Sequence, residues 1–262
     1  MHRETIGQTL AVAIGVCVVC SVVVSSAAVL LKERQERNKR IDINKNILAA
    51  AGRSEEQLDI TNQQLEELFE RIIETHVVDM RSGEFLSDVD PGSIDHRKDA
   101  KNPKLSQAIS DKADLAKIKR RADRRLIHLY REDGRLKRII LPVHGKGLWS
   151  TMYGFLALEP DGQTIQSLAF YEHGETPGLG AEIDNRRWKR KWVGKKAFDE
   201  DGQLRIEVVK EGMGKGDPQY RVDGISGATI TGRGVRNLVH YWLGDQGYGP
   251  ALEKLRQKKE DR

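Results

Sequence analysis

No cysteine occurs beyond residue 20 of this 262-residue sequence, and the two that exist, Cys17 and Cys20, sit among Val16, Val18, Val19 and Val22. The rest of the chain therefore has neither a disulfide framework nor a thiolate metal cluster, which argues against iron–sulfur binding by this chain alone. The Cys-x-x-Cys spacing is that of a redox motif, but in these surroundings it reads as two small apolar residues on a helix face. A dinucleotide-binding fingerprint is also missing, so direct binding of a nicotinamide dinucleotide is not expected. No internal repeat is found. A strong surplus of one charge is absent too: 44 Lys and Arg stand against 39 Asp and Glu, a net +5, and charge alone selects no class of partner. The length suits one ordinary domain plus a membrane segment and a helical connection.

What the sequence does have is one long apolar run. From Thr5 to Leu31 no residue is charged, and Leu10 to Leu31 as a helix would be about 33 Å long, enough to cross a bilayer core. A cleaved signal peptide is the rival, with Arg3 before an apolar stretch and Ser25-Ser26-Ala27 as a small-residue cleavage site. Because the run continues through Ala28, Val29, Leu30 and Leu31, a retained anchor is expected. The basic flank Lys32, Arg34, Arg37, Lys39 and Arg40 would by the positive-inside rule hold the body in the cytoplasm.

Residues 32–53 are polar and helix-compatible, and Ser54 with Gln57 forms a capping-box start. Leu58, Ile60, Leu65, Leu68, Phe69, Ile72 and Ile73 then predict an amphipathic helix to about Val77. Residues 82–104 read as loop. Short β-prone runs follow at Leu126–Tyr130, Leu136–Val143, Thr151–Leu158, Ile165–Tyr171 and Leu204–Val209, divided by Asp133-Gly134, Asp161-Gly162 and Asp201-Gly202, which predicts antiparallel hairpins. Helices are expected at Trp188–Lys196, Thr231–Leu243 and Ala251–Gln257. The fold class is thus α+β: a tail at 1–9, a transmembrane helix at 10–31, a helical connection and loop region at 32–125, and at 126–262 a domain of antiparallel sheet with flanking helices.

Two small-residue loops carry the chemistry. Asp223-Gly224-Ile225-Ser226-Gly227-Ala228-Thr229-Ile230-Thr231 precedes the periodic set Val235, Leu238, Val239, Trp242 and Leu243, so it sits at a helix N-terminus, where free N–H groups and the helix dipole attract an anion. A simple helix cap by one of its hydroxyls is the bland alternative. His173-Gly174-Glu175-Thr176-Pro177-Gly178-Leu179-Gly180 follows a predicted strand and suits a wall against a flat ligand, or equally a plain Pro-Gly turn. Gly212-Met213-Gly214-Lys215-Gly216 has a phosphate-loop look, but Asp217-Pro218 follows instead of a helix, and a hairpin loop is the simpler reading. Arg186-Arg187-Trp188-Lys189-Arg190-Lys191-Trp192 and the basic run Lys117 to Arg125 raise a nucleic-acid surface as a rival, against an exposed charged helix. A purely structural membrane protein is another.

DGISGAT at 223–229 resembles the covalent-flavinylation motif of the FMN-binding domain found in ion-pumping respiratory complexes, and HGETPGLG at 173–180 resembles that domain's second signature. The likeness to the family of C subunits of Na+-translocating NADH:quinone reductases extends to NKRIDINKNILAAAG after the anchor, GLWSTMYGFLAL at 147–158, WVGKK at 192–196 and LGDQGYGP at 243–250. The equivalent subunit of the ferredoxin:NAD+ oxidoreductase shares the flavin motif, while the post-anchor segment and LGDQGYGP favour the quinone reductase. The resemblance implies FMN joined through phosphate to Thr229, installed by a separate flavin transferase that recognises Asp223. It implies that Ser226, Gly227, Ala228 and Thr231 shape the phosphate pocket. Gly178 and Leu179 would lie near the isoalloxazine, with His173, Glu175 and Thr176 in the same loop and Trp149 and Tyr153 as aromatic neighbours. The implied protein is an electron-relaying subunit among other membrane subunits, without a complete active site of its own. It would sit in a bacterial inner membrane with its flavin domain periplasmic, against the basic flank.

Overall fold

A computed structural model describes residues 6–210, 212 and 216–260. Met213, Gly214 and Lys215, the middle of the phosphate-loop look-alike, lie outside the described residues. The chain divides into two compact units, one ending at Asn44 and one beginning at Lys45.

The first unit is most of helix α1, Ile6–Ala50, which continues unbroken through the polar residues after the anchor. Every residue from 6 to 40 is exposed, and the helix is long and apolar enough to cross a membrane. A helix of such composition in a water-soluble core would be buried; here its side chains are left for lipid or for a partner.

In the second unit, Ser54 and Gln57 do make reciprocal bonds, Ser54 N to Gln57 Oε1 at 2.9 Å and Gln57 N to Ser54 Oγ at 3.4 Å. Only a 3-10 turn at Glu56–Leu58 follows. A second capping box, Thr61 with Gln64, opens the real helix, α2, Asn62–Ile72. That helix stops five residues short of the expected Val77, because Ile73, Thr75, Val77 and Val78 are β-branched and join strand β1, Ile73–Asp79. Within the segment expected to be loop lie β2, Phe85–Leu86, and α3, His96–Lys101. The antiparallel pair β3, Ser106–Ala108, and β4, Arg120–Ala122, comes next.

The main sheet is completed by β5 (Arg124–Glu132), β6 (Arg135–Lys146), β7 (Thr151–Leu158) and β8 (Ile165–Glu172), in the order β2-β1-β5-β6-β7-β8. All neighbours are antiparallel. Glu132 pairs with Arg135 across Asp133 and Gly134, whose φ values of 51° and 73° make the two-residue turn that strand twist favours. After the sheet come α4 (Arg186–Arg190), β9 (Glu207–Val209), β10 (Arg221–Asp223), α5 (Thr229–Leu243) and α6 (Gly249–Glu260). Helix α4 is shorter than expected, since the chain turns at Lys191 so that Trp192 enters the core. Of the strand expected at Leu204–Val209, Glu207–Val209 forms β9 and Leu204 makes only an isolated bridge with Phe198, and the β9–β10 pair is parallel where a hairpin was expected.

Helix α5 lies along the end of β6. A Cβ on Gly234 would come within 2.5 Å of the Lys146 carbonyl, Leu238 abuts Gly145, and the Trp242 indole donates to the His144 carbonyl at 2.6 Å. Three successive helical turns thus step along three successive strand residues. On the other face, His128 of β5 meets Phe69 of α2 and Phe155 of β7 edge-on, at 6.4 and 6.3 Å between ring centres.

Burial, with a smaller contribution from His76, pushes the pKa of His128 from 6.5 down to about 3. His96 and His144 are likewise depressed well below the usual range by burial. Unfolding lets the His128 ring take up a proton below pH 6.5, so the stability it contributes is present above that pH and is lost as pH falls towards 3. The slope for this ring is about 1.4 kcal/mol per pH unit. Chemical denaturation of His128→Phe between pH 6.5 and 4 should give a flatter stability profile than the parent; parallel profiles would rule this titration out.

Several residues of the two basic segments lie in the core. Arg121 and Arg125 are buried, as are Trp188 and Trp192, which pack edge to face. Arg125 donates to Tyr248 Oη at 3.1 Å and to the Pro142 carbonyl at 2.8 Å, with its guanidinium 4.0 Å from the Trp242 ring.

Candidate functional site

Parallel strands β9 and β10 deliver the chain to Asp223, and the loop 224–228 turns it into α5. Val209 O accepts from Gly224 N at 2.7 Å, and Ile225 O accepts from Ala228 N at 3.1 Å. Gly227 has φ 73°, a left-handed conformation that a side chain resists. Ala228 occupies the N-cap and offers no side-chain cap. Among the described residues, no side chain caps the first N–H groups of this 15-residue helix.

Beside this helix end is a cleft of about 530 Å³, lined by Val208, Val209, Lys210, Ile225, Ser226, Gly227, Ala228, Thr229, Gly232, Arg233 and Arg236, together with Glu207 and Gly224. Arg236 is already neutralised, for it forms a two-point ion pair with Glu207 that holds its pKa up. Arg233 follows Thr229 by one helical turn and is exposed, as is Lys210. Together with the open N–H groups, these two cations make the cleft a place for a polyanionic group. Sequence reasoning missed both; Arg233 could have been found as the i+4 neighbour of Thr229.

The two loops singled out in the sequence meet here. A Cβ on Gly227 would lie 3.2 Å from Leu179 Cδ2. Leu179 is 46% exposed and Ile230 54% exposed, leaving apolar surface at the helix end. Gly178 has φ 74°, and the Thr176 carbonyl accepts from Leu179 N and Ala181 N, closing the turn that presents Leu179. His173 is occupied within its own loop: Nδ1 accepts from Glu175 N at 3.2 Å, which leaves Nε2 to donate to Asp184 at 2.7 Å.

The three hydroxyls of the helix-end loop separate cleanly. Ser226 and Thr229 are exposed, whereas Thr231 is buried and donates to Glu175 Oε2 at 2.6 Å. Asp223 is half-buried, and its carbonyl accepts from the Trp188 indole at 3.0 Å. Trp149 is 66% exposed in the loop joining β6 to β7. Tyr153 is stacked on His144 at 5.4 Å and carries the Arg97 guanidinium 3.6 Å from its ring, so that ring is already occupied.

The model of the FMN-binding domain family matches residues 147–244, which include both loops, the cleft and all of α5. The C subunit of the Na(+)-translocating NADH-quinone reductase of Yersinia pestis is 43% identical over 98% of this chain and 95% of its own length. Its namesake in Pseudomonas aeruginosa is 45% identical over 98% of each. This chain belongs to that family of C subunits. Its structure resembles the crystal structure of Shewanella oneidensis NqrC with a TM-score of 0.76 and 34% identity, over 86% of this chain and 99% of the other. The residues matched by that domain include every residue lining the cleft.

Proposed function

We propose that this chain carries FMN esterified through its phosphate to Thr229 and relays electrons as the C subunit of a Na+-translocating NADH-quinone reductase. The observation that carries the reading is an exposed Thr229 hydroxyl at the uncapped N-terminus of α5, on a cleft lined by Lys210 and Arg233. FMN supplies the redox chemistry when bound. The protein's part is to hold the phosphate against the helix N-terminus and two cations, and to offer Leu179 and Ile230 as apolar surface beside it.

An aliphatic hydroxyl is a weak nucleophile. Among the described residues no carboxylate or imidazole is hydrogen-bonded to Thr229, and the nearby buried carboxylate, Glu175, is taken by Thr231. Attachment therefore calls for a flavin transferase acting on the exposed loop. After co-expression with such an enzyme, mass spectrometry of the tryptic peptide Val222–Arg233 should show the mass of an FMN ester. An unmodified peptide would refute the covalent assignment.

Backbone conformation gives a finer test at Gly227. In-gel flavin fluorescence should fall strongly in Gly227→Val and less in Gly227→Asn, because asparagine tolerates a left-handed φ that a β-branched residue does not. Equal loading in all three proteins would show that this turn is immaterial to attachment.

The reading also places the second unit on the periplasmic side of an inner membrane, with α1 as the retained anchor and other subunits of the complex as neighbours. Glu33 and Glu36 dilute the basic flank, and long translocated domains escape the positive-inside bias. A phosphatase fused after Arg262 should be active and a fluorescent protein that folds only in the cytoplasm should be dark; the reverse pair would put Thr229 out of reach of a periplasmic transferase.

A further inference from the structure

Glu175 is buried, with 5% of its surface exposed, and four hydrogens converge on its carboxylate. Oε1 accepts from Trp149 N at 3.0 Å and Ser150 N at 3.3 Å, while Oε2 accepts from Leu148 N at 3.1 Å and the Thr231 hydroxyl at 2.6 Å. Burial pushes its pKa up, but the Thr231 hydroxyl and the three amides outweigh burial and hold it below the usual carboxylate range. The donors come from two different segments, the β6–β7 loop and the first turn of α5, and the acceptor comes from a third, the loop after β8.

The space around the carboxylate is shaped for it. A Cβ on Gly147 would lie 2.5 Å from Oε1, and one on Gly180 would lie 2.7 Å from Thr231 Oγ1 and 2.9 Å from Oε2. Two glycines and one hydroxyl thus make room for this single group. A carboxylate is suited to the task because it accepts at both oxygens, whereas an amide of the same shape offers an acceptor at only one.

We infer that Glu175 is a positioning residue: it does not touch the flavin, but it clamps the Leu148–Ser150 loop to the helix end that bears Thr229. The exposed Leu148 and Trp149 side chains, at 42% and 66% exposure, are thereby fixed relative to Leu179 and the phosphate site. The inference rests on the FMN reading for what the clamp serves, but not for the clamp itself.

The experiment uses full-length protein co-expressed with the flavin transferase, comparing the parent with Glu175→Gln, Thr231→Val and Thr231→Ser. Amide hydrogen exchange at Leu148–Ser150 should speed up at least tenfold in Glu175→Gln and in Thr231→Val, with exchange at Val235–Leu243 unchanged. Thr231→Ser should match the parent, since it keeps the hydroxyl. The visible circular dichroism of the flavin should change in Glu175→Gln and Thr231→Val alone. Unchanged exchange and unchanged dichroism in both variants would overturn the clamp, as would general acceleration of exchange through α5. If Glu175→Gln fails to fold, Thr231→Val and its serine rescue decide the matter. A parent protein without covalent flavin would refute the FMN reading, and the exchange measurement would still decide the clamp.

Discussion

Thr229→Val should give a protein with no flavin fluorescence after denaturing electrophoresis, while its melting temperature stays within a few degrees of the parent. Valine is nearly isosteric with threonine, and at an exposed first helical position the substitution removes a hydroxyl without opening a cavity. The effect on attachment is therefore all or none, and the effect on stability is small. Fluorescence surviving in the variant would mean that another hydroxyl bears the flavin. Ser226 is then the next choice, since it is exposed on the same cleft. Thr231 is not, because its hydroxyl is buried and donates to Glu175. A double substitution at Thr229 and Ser226 would settle the assignment.

Trp242→Ala should produce the largest loss of stability. The side chain is fully buried, and its indole lies against Arg125, His144, Tyr241 and Tyr248 while donating to the His144 carbonyl. Truncating such a ring costs about 3–5 kcal/mol, or a fall in melting temperature of roughly 6–20 °C for a body of this size. Arg125 would also lose the aromatic surface beside its buried charge. Trp242→Phe should recover most of the packing and leave the His144 carbonyl without this donor. A fall of less than about 3 °C for the alanine variant, by thermal melts of the full chain in detergent, would show that α5 is held mainly by its other contacts.

The local signals read well from sequence where one residue type settles the geometry. Asp133-Gly134 marked a hairpin, short β-prone runs marked β5 to β8, and the set Val235, Leu238, Val239, Trp242 and Leu243 marked α5. The signal weakened where neighbouring elements share one apolar run. Ile72 and Ile73 continue the helical spacing of α2, yet the chain changes to strand between them because β5 offers a partner at Ile73. Parallel pairing of β9 with β10 had no local signature at all, since it depends on a crossover. At the candidate site, the position of the small-residue loop at a helix N-terminus was legible. The burial of Glu175 was not, because an acidic residue in a Gly-rich loop looks solvent-facing until the three backbone amides that bind it are brought together from another loop.

The likeness to the FMN-binding domain begins at residue 147, and that boundary would make a poor place to cut the chain. Strand β7 would lose β6, its hydrogen-bonded neighbour from Ile139 to Lys146, and become an open edge of unpaired amides. Helix α5 would lose the floor formed by His144, Gly145 and Lys146. A fragment defined by homology alone would thus expose both a sticky sheet edge and the apolar side of its longest helix, and aggregation is the expected fate. Any shorter form intended for crystals or spectroscopy has to begin before α2 and keep β1, β5 and β6, so the candidate site is local in sequence but its mechanical support is not.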